Sequence, residues 1–310
     1  MVFLLLALQT ALATADPSLR AELLTSGPVI ERVAKPDDAE TVIYYLGEQA
    51  GSLAPCGCAD RPRGGIPRAA AYLHAASPGI VINTGSWLDQ GQGIDGRARP
   101  DSALKNQWMV RGLQAMEIDA VHVTFSDLGG LGTVQEEASS LPLVSANLNG
   151  PGIQPFILLE RGDRTIGITG ISHPGHPNVD TPGFERTKPL SAALPIVEKL
   201  KDTTDVVILL VNGATDAAKK LAKSGHIDVV IDTDDHRTFE TPFRVGNDLW
   251  VRSHAQGLRL GELRIGPQQT WVLDRKIDLD DSIRDHPPLQ TINKQAQSEI
   301  KALEKRVFGR

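Results

Sequence analysis

The sequence predicts a layered α/β domain with mostly parallel inner strands, on three observations. Short apolar, β-branched runs alternate with segments of helical periodicity from Thr41 to Ile231. Most of the runs stop at or next to a Gly, Asn or Asp, the residues that end strands and open turns. The bulk is that of an ordinary globular chain, with 41% hydrophobic and 23% charged residues, and 310 residues suit one large domain.

The elements follow in order. Thr41 to Leu46 reads as a strand stopped by Gly47, and Ile66 to Ala76 as a helix. Gly79 to Thr84 is a short buried strand, and Ser102 to Met116 has helical spacing of Leu104, Trp108, Leu113 and Met116. Strands are expected at Asp119 to Phe125 and Leu143 to Ala146. A hairpin of Phe156 to Glu160 with Thr165 to Ile171 turns at Gly162-Asp163. A helix over Ser191 to Lys201, a strand over Val206 to Val211, a helix over Ala214 to Lys223 and a strand over Ile227 to Ile231 continue the alternation. Leu249 to Ser253, Leu260 to Ile265 and Thr270 to Ile277 read as antiparallel strands closing an edge, and Leu289 to Val307 as an amphipathic helix packed last.

The apolar run Val2 to Leu8 precedes two small-x-small patterns, Ala11-Leu12-Ala13 and Ala13-Thr14-Ala15. That order predicts a signal peptide over 1–15 and a periplasmic or secreted protein; a buried terminal segment is the alternative, since no Lys or Arg precedes the run. Residues 16–40 read as a polar lead-in, 41–277 as the domain and 278–310 as a helical extension. No later stretch reaches the ~20 apolar residues that cross a bilayer. The formal net charge of −6 offers no attraction to a phosphate backbone, which argues against nucleic-acid binding. Partners are expected to be a small molecule or a periplasmic protein.

Ligands of open α/β sheets bind beyond the carboxyl ends of the strands, so the chemistry is sought there. Those loops contain Glu48, Asp89, Asp127, Asn212, Asp234, Asp235 and His236. Such oxygens could hold a single hard divalent cation such as Ca²⁺ or Mg²⁺, or be solvated carboxylates and strand-end caps. The two cysteines of the chain, Cys56 and Cys58, stand in Pro55-Cys56-Gly57-Cys58. A bridge across one residue closes a very small loop and is strained, which predicts a labile bond rather than a structural one. Arg61, Arg63 and Arg68 nearby would favour thiolate. A passive disulfide, or two thiols ligating a metal completed elsewhere, remain open. His173 and His176 lie in a Pro/Gly loop, while His122 and His254 read as structural.

The order of segments resembles the 5'-nucleotidase branch of the calcineurin-like metallophosphoesterases. The resemblance rests on Gly64-Gly65 with Arg68, Val81-Ile82-Asn83-Thr84-Gly85, Met116 to Val121, Leu143 to Asn147, Ile166 to Ile171 and Ile227 to Ile231. It implies the layered α/β sandwich of that superfamily as a single domain, and a two-metal site at the strand ends. Carried over position by position, most ligands are replaced. Glu48 stands for the first Asp and Ala50 for its His, Ser86 for the bridging Asp, Phe125 for the Asn ligand and Ser126 for the catalytic His. Asn212 stands for a ligand His and Asp234 for the first His of the last pair, with His236 retained. The resemblance therefore implies a reduced metal set of Glu48, Asp127, Asn212, Asp234 and His236. The cysteine loop, followed by Gly64-Gly65-x-x-Arg68, is similar to the UshA-like (seleno)protein subgroup, which places Cys56 and Cys58 as candidate catalytic residues. Three functions follow: thiol or redox chemistry on a degenerate scaffold, phosphoester hydrolysis with few ligands, or binding without reaction.

Overall fold

The structure is a computed structural model and describes residues 41–56, 61–91, 99–175, 181–233, 242–245, 247–266 and 272–309. The expected leader and lead-in, and with them Cys58, His176, Asp234, Asp235 and His236, lie outside the described residues. The strands in chain order are β1 (Thr41–Leu46), β2 (Ile80–Asn83), β3 (Ala120–His122), β4 (Leu143–Val144), β5 (Leu148–Asn149), β6 (Ile157–Arg161) and β7 (Arg164–Ser172). They continue with β8 (Glu185–Arg186), β9 (Val206–Asn212), β10 (Val229–Asp232), β11 (Phe243–Val245), β12 (Asp248–Arg252), β13 (Arg259–Ile265) and β14 (Val272–Asp278). The longer helices are α1 (Ile66–Ala75), α2 (Ser102–Ala115), α3 (Pro189–Thr203), α4 (Thr215–Ala222) and α5 (Pro287–Phe308). A proline opens α1, α3 and α5 where its missing N–H has no helical partner to lose, and Gly309 ends α5 at φ 67°.

The described strands form two six-stranded sheets, in the orders β14-β13-β1-β2-β3-β4 and β11-β12-β10-β9-β7-β6, with β5 and β8 pairing separately. Strands β1 to β4 run parallel, as do β7, β9, β10 and β12. Side chains alternate between the faces of a strand. In β1, Ile43 and Tyr45 enter the core between the sheets, while Val42, Tyr44 and Leu46 face the core under α1, α2 and α5. In β9, Ile208 and Leu210 point inward, and Val207, Leu209 and Val211 pack under α3 and α4. The result is a helix-sheet-sheet-helix sandwich, with central strands buried on both faces as parallel sheets require.

Three expectations are corrected. The segment at Leu249 is not an antiparallel strand at the edge of the first sheet: β12 lies parallel to β10 in the second sheet, Val229 opposite Leu249. The three-residue β11 carries the chain back and pairs antiparallel with β12, so β12 re-enters in the direction of β10. The strand expected over Asp119 to Phe125 shortens to β3, because Thr124 and Asp127 form a reciprocal capping box that turns the chain at once. The strand expected to Ala146 likewise ends at Val144.

Two buried polar groups lock the layers. Glu262 of β13 is fully buried and accepts hydrogen bonds from Arg264 Nε and Arg275 Nη2, each at 2.5 Å, and from the Tyr72 hydroxyl of α1. His122 at the end of β3 is fully buried, its ring so close to β7 that a Cβ on Gly170 would lie 2.4 Å from its Cδ2. The Thr84 carbonyl 3.2 Å from Nδ1 can only accept, so Nδ1 carries the hydrogen, while Nε2 has no partner among the described residues. Burial pushes the imidazole down to about 4.

Glu262→Ala takes the shared carboxylate from the buried Arg264 and the partly exposed Arg275 and is expected to cost about 3 kcal/mol, read from urea unfolding. For His122 the unfolded imidazole takes a proton near its ordinary value of 6.5, whereas the folded one does so only near pH 4. Stability from this group is therefore present above about pH 6.5 and lost as pH falls toward 4, by roughly 3 kcal/mol in all. Unfolding free energies measured across that window should fall less steeply in a His122→Gln variant than in the parent chain.

Candidate functional site

The carboxyl ends of β1, β2, β3, β9 and β10 meet at one rim, and backbone hydrogen bonds join the loops that leave them. Glu48 N–H donates to the Gly85 carbonyl at 2.9 Å, Ala50 to Ser86 at 3.1 Å and Gly51 to Trp87 at 2.8 Å. Glu48, Ala50 and Ser86 adopt positive φ of 58°, 48° and 54°, a region where L-residues are strained. The loops after β1 and β2 therefore run alongside each other in an enforced shape.

Asp127 ties these loops to the turn after β3. Its carboxylate is fully buried and accepts from Ser86 N–H, Leu88 N–H and Thr124 N–H, each at 3.0 Å, and from Thr124 Oγ1 at 2.6 Å. Burial raises its carboxyl against the four donors that favour the charged form. Asp89 is similarly engaged, accepting from Gly91 N–H at 2.9 Å and Ser102 Oγ at 2.7 Å, with Arg99 3.3 Å from its other oxygen. Both carboxylates hold loops in place in this structure.

Above Asp127 stands a chain of neutral groups. Thr124 Oγ1 lies 2.8 Å from Ser126 Oγ, and Ser126 Oγ lies 3.0 Å from Ser86 Oγ. Asn212 Nδ2 at the end of β9 donates to Ser86 Oγ at 3.4 Å and to Thr233 Oγ1 at 3.0 Å. The structure thus brings together Ser86, Ser126 and Asn212 from three different strand ends; the resemblance pairs Ser86 and Asn212 with metal ligands and Ser126 with the catalytic His. The Phe125 ring is covered: Arg186 stands 5.6 Å over it, and a Cβ on Gly175 would lie 2.1 Å from it. Among the described residues no three His, Cys, Asp or Glu side chains gather as a metal-binding group. His173 Nδ1 accepts from Gly175 N–H at 3.0 Å, an interaction within its own loop.

Cys56 lies beside this rim. Its N–H donates to the Arg63 carbonyl at 2.8 Å, and Arg63 N–H donates back to Cys56 Sγ at 3.5 Å, so the pair closes the loop between them. Two of the three guanidinium groups expected near the sulfur have carboxylate or carbonyl partners: Arg63 pairs with Asp278 at 3.5 Å, and Arg68 donates to the Pro62 and Leu279 carbonyls and lies 3.7 Å from Asp285. A backbone amide thus donates to the sulfur. A cleft of about 140 Å³ has Cys56, Glu48 and Gln49 in its wall. Gln49, which no sequence pattern singles out as a site residue, is 7% exposed and takes Asn83 Nδ2 on its Oε1 at 3.1 Å. Its position three residues after Leu46 in a strand-end loop is the one signal that could have found it.

No protein-family model matches the chain, and no curated protein does. Solved structures do match. The Haemophilus influenzae NAD nucleotidase NadN superposes with a TM-score of 0.69 at 14% identity, covering 86% of this chain and 61% of that one. A 5'-nucleotidase precursor from Thermus thermophilus gives 0.67 at 13% identity, over 86% of this chain and 60% of that one. The sulfate thiohydrolase SoxB of the same organism gives 0.69 at 15% identity, over 87% and 62%. This chain thus spans about three fifths of the length of each. At such identities the likeness is one of fold, and the fold is the layered α/β sandwich of the calcineurin-like metallophosphoesterases.

Proposed function

We propose that this phosphoesterase-type sandwich performs thiol chemistry at Cys56 and Cys58 in place of two-metal phosphoester hydrolysis. The observation that supports it is the neutral chain at the rim. Two dications that activate water and clamp a phosphoryl group need several carboxylates and imidazoles around them. Ser86, Ser126 and Asn212 offer hydroxyls and a carboxamide, already bonded to one another, and the oxygens of Asp127 are occupied by four donors. Glu48, with Asp234 and His236 beyond the described residues, leaves at most a set for one divalent cation.

The thiol reading draws on Cys56 standing in the wall of a cleft with a backbone N–H on its sulfur. In the exchange, the Cys56 thiolate attacks a substrate disulfide and releases one substrate thiolate. The Cys58 thiolate then attacks Cys56 and releases the second. The pair has lost two electrons and the substrate has gained them; the strained bridge runs the same steps backward with a dithiol. Export, which the Val2 to Leu8 run supports, would place this chemistry in an oxidising compartment with a small molecule or a periplasmic protein as partner. One protein of this fold is named a sulfate thiohydrolase, so the scaffold is not confined to nucleotides.

The competing reading is hydrolysis of phosphate esters around a single metal, which the nucleotidases of the same fold favour. Elemental analysis of the purified protein, thiol counting with and without reductant, and assays on nucleotides and generic phosphate esters with Mn²⁺, Zn²⁺, Mg²⁺ and Ca²⁺ separate the two. The expected outcome is fewer than two metals per chain, no turnover, and two sulfurs that open and close with reductant and oxidant. Two bound metals with phosphatase turnover, or sulfurs inert to reductant and alkylating agent, would overturn the proposal.

A further inference from the structure

The cleft beside Cys56 limits what can reach the sulfur. Its volume of about 140 Å³ is well below the roughly 300–1,000 Å³ of pockets for drug-sized ligands, so it fits a group the size of one amino acid. Its walls are held in unusual backbone shapes. Among the described residues, five non-glycine residues have positive φ, and three of them, Glu48 (58°), Ala50 (48°) and Gln256 (59°), line this cleft. Strain of this kind is retained where the surroundings enforce it, and it gathers at ligand sites.

Gln49 supplies the independent sign of a ligand. Its side chain is buried at the inner wall of the cleft, and its Oε1 takes Asn83 Nδ2, but its Nε2 is buried without a partner. A buried donor without an acceptor is costly, and a ligand bearing a carbonyl oxygen would satisfy it. Sulfur at one wall and an amide donor at another define a bifunctional recognition pattern.

We infer, resting on the thiol reading above, that the cleft receives a cysteinyl group, its sulfur against Cys56 Sγ and its carbonyl oxygen on Gln49 Nε2. The substrate class is then a peptide or amino-acid thiol in its disulfide form. The first step joins Cys56 Sγ to the cysteinyl sulfur and releases the other half of the disulfide as thiolate, with no net oxidation.

The test uses the full chain carrying Cys58→Ser, so that Cys56 is the only thiol. Rates of mixed-disulfide formation are compared for the disulfide of N-acetylcysteine methylamide and for 2-hydroxyethyl disulfide, which lacks the carbonyl. The peptide-like probe is expected to react about tenfold faster once the intrinsic reactivities of the two probes with a free thiol are divided out, the worth of one hydrogen bond. Gln49→Met should remove that preference. Equal corrected rates, or a preference that survives Gln49→Met, would sink the inference while the thiol reading stands. Failure of Cys56 to react with either probe sinks both. As a check that needs no change at Gln49, the thioether N-acetyl-S-methylcysteine methylamide, which cannot exchange, should slow alkylation of Cys56 by iodoacetamide; no protection counts against the assigned site.

Discussion

Burial of the inner parallel strands on both faces is the constraint from which the rest of this structure follows. Tyr45 and Ile43 fill the space between the sheets while Tyr44 and Val42 fill the space under the helices, so β1 cannot slip by one residue without exchanging its two faces. The same holds for β9, with Ile208 and Leu210 on one side and Val207 and Leu209 on the other. Parallel strands locked in this way end on one side of the molecule. Their loops have to meet there, and their polar groups have to find partners in one another.

Asp127 answers much of that demand. Four donors from two loops converge on its carboxylate, which fixes the turn after β3 against the loop after β2. Its burial and its hydrogen bonds pull its proton affinity in opposite directions, and burial is the larger effect. The groups standing above it, Thr124, Ser126, Ser86 and Asn212, add no charge. The rim they form is polar and internally satisfied.

The sulfur side of the rim is arranged differently. Arg63 and Arg68 flank the cysteine loop in sequence, and their guanidinium groups reach Asp278, Asp285 and backbone carbonyls, contacts that hold the loop. The N–H of Arg63 reaches Sγ because Cys56 and Arg63 pair across the loop.

Several elements were legible because their signals are local. The runs beginning at Thr41, Thr165 and Val206 lie in strands of the structure, and the periodic segments beginning at Ser102 and Leu289 lie in helices. The direction of β12 was not legible, since a run such as Leu249-Trp250-Val251 has the same pattern whichever way it enters a sheet, and β11, which reverses the chain before it, has only three residues. The positions Ser86, Ser126 and Asn212 were legible as strand ends, but their mutual contact was not, because the residues are separated by up to 126 positions. Gln49 was legible only as a residue of a strand-end loop, and its unpartnered amide was not legible. The sequence by itself determined which residues are apolar and at what spacing, hence the elements and the side of the sheet where loops leave. Only the tertiary structure decided which loops touch and which polar atoms are satisfied, because these depend on distances between residues remote in the chain, which no local pattern encodes.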